Sequence, residues 1–99
     1  MTMAGSMVAE SIKITHTVGL HARPSVKLTK LAKTFAAKIE LALSEEGPWI
    51  DAKSIVKVMA TKAPQYSMLY LRATGSDAKK AIDEMIDLVR RDFDEEAHG

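Results

Sequence analysis

Polar and apolar residues alternate along Ser11-Ile12-Lys13-Ile14-Thr15, the period-two pattern of a half-buried strand. From about Ala22 to Thr34 the period changes. Leu28, Leu31, Ala32 and Phe35 recur at helical spacing and predict a helix with one core stripe. Alternation returns over residues 37–43, with Ile39, Leu41 and Leu43 on one face. Ser44-Glu45-Glu46-Gly47-Pro48 is a turn, and the short link to Trp49-Ile50-Asp51 predicts an antiparallel pair. Residues 52–60 suit either a strand or a helix by propensity. The spacing of Ile55, Val58 and Met59, with Ser54 as N-cap, favours a short helix. Residues 67–73 form the clearest strand, with Leu69, Leu71 and Ala73 inward. After the turn at Thr74-Gly75-Ser76-Asp77, a last helix presents Ala78, Ala81, Ile82, Met85 and Val89 on one face, to about Asp92.

The resulting order, βαββαβα, predicts an α+β fold. Cleanly alternating strands leave one sheet face to water. The expected architecture is therefore a two-layer, open-faced sandwich: a four-stranded antiparallel sheet with three helices on one face.

Length and composition narrow the picture. The 99 residues suit one domain, expected over 9–93, with a flexible extension or cloning remnant at 1–8 and an acidic tail at 94–99. Fourteen basic against 13 acidic residues give a net charge of +1, so no global field draws nucleic acid or a membrane surface. The single tryptophan, Trp49, has no second aromatic spaced to make a stacking platform. There is no cysteine, and His16, His21 and His98 lack metal-ligand spacing, so no metal and no cofactor are expected. No apolar run approaches the roughly 20 residues of a membrane span, and the N-terminus lacks a signal-peptide pattern. A cytoplasmic monomer is expected.

The candidate chemistry lies in Gly19-Leu20-His21-Ala22-Arg23-Pro24-Ser25. Glycine suits a sharp turn after a strand, and proline suits the first turn of a helix. His21 then stands at or just before a helix start. The amides of Ala22, Arg23 and Ser25 are expected to be open to an anion, and the Arg23 guanidinium lies close by. A lone histidine before a helix is often a plain polar cap. A nucleophilic imidazole beside an anion cradle is also what reversible phosphoryl transfer requires. Arg23, Lys27 and Lys30 share one side of the helix, extended by Lys33, as a solvated face or a docking strip for an acidic partner. Val56 and Lys57 face away from the stripe of Ile55 and Val58, and Met59 straddles its boundary, so the segment is either an adaptable contact patch or simply buried.

The stretch Gly19-Leu20-His21-Ala22-Arg23-Pro24 resembles the active-site motif of the HPr family of histidine phosphocarriers, from the phosphoenolpyruvate-dependent phosphotransferase system. Lys53-Ser54-Ile55-Val56-Lys57-Val58-Met59 resembles the segment around that family's regulatory serine. The turn at residues 44–47 and the ending Phe93-Asp94-Glu95-Glu96 are similar to the nitrogen-type branch, NPr. The resemblance implies that His21 accepts a phosphoryl group on Nδ1 from Enzyme I and passes it to a IIA-type protein. It implies that Arg23 and the backbone of Ala22 and Arg23 stabilise the phosphoryl charge. It matches Ser54 to the serine phosphorylated by an HPr kinase in some members. It also implies a docking face of Leu20, Ala22, Val26, Lys27, Lys30, Val56 and Met59. Such a protein is a relay rather than a turnover enzyme. Thr17 and Val18 depart from the small polar residue that many relatives carry before the histidine. Lys62 and Tyr66 stand where many relatives have glycine. The alternative reading is a non-phosphorylated regulatory module that docks proteins by the same face.

Overall fold

The computed structural model describes residues 7–17 and 19–94. Residues 1–6 of the expected extension, Val18 of the departing loop, and the tail beyond Asp94 with His98 lie outside the described residues.

The chain folds as β1 (Met7–Lys13), α1 (Ala22–Ala32), β2 (Lys38–Ala42), β3 (Ile50–Asp51), α2 (Ile55–Ala60), β4 (Met68–Thr74) and α3 (Ala78–Arg90), followed by a short 3-10 turn, Asp92–Asp94. The four strands form one antiparallel sheet in the order β1-β4-β2-β3. β4, the most regularly alternating segment, takes a central place, with Leu69, Leu71 and Ala73 buried and the residues between them more exposed. On the same side, Ile39 and Leu41 of β2 meet Leu28 and Ala32 of α1, Val58 of α2, and Ala81, Ile82, Met85 and Val89 of α3 in one core. The opposite face is polar. There Arg72 pairs with Glu40 at 2.8 Å, and its guanidinium lies 4.0 Å over the Trp49 ring.

The first strand corrects the expected boundary at residue 8. It starts at Met7, four residues before the alternation at Ser11, and pairs Met7 with Thr74 and Val8 with Ala73. The last two residues of the expected extension therefore belong to the sheet. None of the helices among the described residues is long and apolar enough to cross a membrane.

Candidate functional site

Two backbone constraints bring His21 to the surface. The first is a tight turn in which the Gly19 amide donates to the His16 carbonyl at 3.0 Å, with Gly19 at φ +63. A Cβ at Gly19 would lie 2.2 Å from the Ala63 carbonyl oxygen, so only glycine fits. The second is the next residue. The Leu20 amide donates to that same oxygen at 2.9 Å, and its side chain, 1% exposed, enters the core. This corrects the expectation that Leu20 lies on a docking face. As an apolar anchor it fixes the loop from below, while the neighbouring His21 is exposed.

His21 is the N-cap of α1, at φ −79 and ψ −167, and its side chain makes no capping hydrogen bond. Its carbonyl accepts from the Ser25 amide at 3.0 Å. That amide, expected to be open to an anion, is thus used by the helix, and Pro24 has none to offer. The helix geometry leaves the first-turn amides of Ala22 and Arg23 without an acceptor inside α1. No acidic residue occupies that turn, so nothing from α1 itself neutralises the positive end of its dipole. An open depression of about 390 Å³ beside the imidazole is lined by Leu20, His21, Ala22, Met59 and Lys62.

The other expected residues divide. Ala22, Arg23, Val26 and Lys30 of α1 are exposed, as are Val56 (74%) and Met59 of α2. Lys27 is half-buried, and its Nζ donates to the Phe93 carbonyl at 2.9 Å, which ties it to the C-terminal turn rather than leaving it wholly to the outward strip. Ser54 caps α2 as expected, its Oγ accepting from the Lys57 amide at 3.3 Å.

Two features were not among the expected site residues. Lys62 shares the depression with His21 and holds a left-handed backbone, φ +51. Tyr66, outside the depression, is left-handed too, at φ +76, so this loop twice takes a conformation glycine would favour without a glycine. The departure from the expected family pattern at residue 62 was the only sequence signal for Lys62. Behind the site, His16 is 9% exposed, and its ring meets that of Phe93 edge-on, with centroids 5.8 Å apart. No local pattern foretells a contact between residues so distant in sequence.

With this geometry in view, comparison with known proteins gives consistent matches. Residues 8–91 match the family model described as the PTS HPr component phosphorylation site. The chain is 37% identical over 89 residues to phosphocarrier protein HPr of Cupriavidus necator, covering 90% of this chain and 98% of that protein. It is 35% identical to phosphocarrier protein NPr of Proteus mirabilis, covering 86% and 93% respectively. Among solved structures, HPr-C-His from Thermoanaerobacter tengcongensis superposes with a TM-score of 0.82 at 31% identity, covering 90% of this chain and 98% of that one.

Proposed function

The chain belongs to the HPr family of phosphotransferase-system phosphocarriers, and on that premise we propose that it is a phosphoryl relay whose acceptor is His21. One observation carries this reading: an exposed imidazole at the N-cap of α1, free of any capping bond of its own, beside first-turn amides and a cation.

Phosphorylated Enzyme I docks over α1 and α2. The ring nitrogen of His21 that bears no proton, Nδ1, directs its lone pair at phosphorus. A new N–P bond forms as the bond to the donor breaks, and that electron pair stays with the donor. The amides of Ala22 and Arg23 and the Arg23 guanidinium face the equatorial oxygens. The helix end favours the anion by about 0.5–1 kcal/mol, enough to orient it and too little to trap it. Delivery to a IIA-type protein runs the same steps in reverse. Exposed Val26, Val56 and Met59 supply adaptable apolar contact for two different partners, and Lys30 supplies charge.

Ser54 has a separate role in this reading. A phosphate there would add up to about two negative charges beside the Val56 and Met59 patch and repel an acidic partner. Ser54→Asp should weaken Enzyme I binding, and equal binding of both forms removes this part.

The test of the whole is incubation with phosphoenolpyruvate and cognate Enzyme I. Wild type should gain acid-labile phosphate, His21→Ala none, and Arg23→Ala should gain it slowly. Binding of Enzyme I with no phosphate on wild type would favour the non-phosphorylated docking module instead.

A further inference from the structure

We infer that Lys62 is a second phosphoryl-facing cation of the His21 site, acting beside Arg23; the inference rests on the relay reading above. Lys62 and His21 line the same open depression, together with Leu20, Ala22 and Met59. The Lys62 amide donates to the Met59 carbonyl at 3.1 Å, which fastens it to the end of α2. The next residue, Ala63, supplies the carbonyl that holds Leu20 at 2.9 Å. Lys62 is therefore one residue from the bond that fixes the His21 loop.

Its backbone makes the choice of residue informative. At φ +51 a lysine is strained where a glycine would not be. Packing does not compensate, because Lys62 is exposed. No ion pair or side-chain hydrogen bond engages it among the described residues. What its flexible arm does have is access to the space beside the imidazole. A mobile ammonium on four methylenes suits a group that arrives, carries about two negative charges, and leaves again. Strain kept at such a position, without a packing return, points to a functional one. Tyr66 provides an internal control. It is also a left-handed non-glycine in this loop, at φ +76 and exposed, yet it does not line the depression.

The experiment follows phosphoryl uptake from phosphorylated Enzyme I by wild type, Lys62→Gly, Lys62→Gln, Lys62→Arg and Tyr66→Gly, with thermal unfolding of each. Lys62→Gly and Lys62→Gln should lose about tenfold in kcat with KM for Enzyme I unchanged, less than the hundred- to thousand-fold loss of a buried donor because the site is open. Tyr66→Gly should transfer at the wild-type rate, and Lys62→Arg, which keeps the positive charge, should transfer faster than either neutral variant of Lys62. Lys62→Gly should unfold at a higher temperature than wild type, so its slower transfer would not come from a weakened fold. Wild-type kcat in both neutral variants, or a change confined to KM, overturns the assignment of Lys62. A wild type that accepts no phosphoryl group overturns the relay reading itself, a different and recognisable result.

Discussion

Ser25 and Leu20 are joined by a hydrogen bond that closes the backbone around His21: Ser25 Oγ donates to the Leu20 carbonyl at 3.0 Å, in a buried setting. The same serine's amide donates to the His21 carbonyl at 3.0 Å, so one residue holds both sides of the N-cap. Ser25→Ala would leave the Leu20 carbonyl buried without its side-chain donor. It should lower stability by about 1–2 kcal/mol, read as a shifted urea midpoint with an unchanged slope. A change inside the roughly 0.5 kcal/mol of ordinary surface substitutions would show that the bond does not hold the loop.

Phe93 should matter more than its place near the chain end suggests. Asp92, Phe93 and Asp94 have φ of +53, +59 and +59, a conformation that costs about 1–2 kcal/mol per residue outside glycine. The turn persists because Phe93 is fully buried, Lys27 Nζ donates to its carbonyl, and Thr15 Oγ1 donates to Asp92 Oδ1 at 2.6 Å. Phe93→Ala is expected to destabilise by about 3 kcal/mol in equilibrium unfolding. A loss below about 0.5 kcal/mol, the range of surface positions, would mean that this end frays.

These two neighbourhoods show where sequence reading succeeds and where it stops. Gly19 permits a left-handed turn that other residues resist and Pro24 fixes a helical φ, so a turn, a cap at His21 and a helix start were legible in order. The core faces of β4 and α3 were legible because their periods, two and 3.6, persist over whole elements. Leu20 was not legible. Its burial depends on the Ala63 carbonyl reaching across from the loop after α2. Lys27 fits the basic strip by spacing, and its bond to a carbonyl 66 residues away has no local trace. The start of β1 was missed because Met7-Val8-Ala9 does not alternate cleanly, and only pairing with β4 identifies it as strand.

The Thr29 hydroxyl is a buried polar atom with no hydrogen-bond partner among the described residues, on the inner side of α1. Burying it unpaired opposes folding, whereas a methyl in its place would not. Thr29→Val should therefore raise stability by about 1 kcal/mol, since valine and threonine have similar helix propensity. Calorimetry or urea titration checks this, and a loss of stability would reveal a partner for the hydroxyl.

Asp77 gives the fold an acid-sensitive joint. It stands at the N-cap of α3, but its carboxylate reaches the Ala36 and Ala37 amides at 2.9 and 2.8 Å. The amide of Ala36, helped by that of Ala37 and by the positive charge of Lys53, holds its carboxyl below the usual carboxylate range. With the folded-state pKa depressed, its contribution is complete above the unfolded value of about 3.9 and fades as pH falls through the folded one. Asp77→Asn should thus be less stable than wild type at neutral pH, and the two should converge in strong acid. A difference that stays constant down to the acid limit would contradict the assignment.

The most direct measurement is the identity of the phosphorylated residue. After incubation with Enzyme I and phosphoenolpyruvate, the protein is digested at neutral pH and its fragments are sequenced by mass spectrometry. His21 is exposed and His16 is 9% exposed behind Phe93, so the phosphoryl group should be found on the His21 fragment and be lost in acid. A phosphoryl group on His16 or His98 instead, or on no histidine at all, would contradict the account.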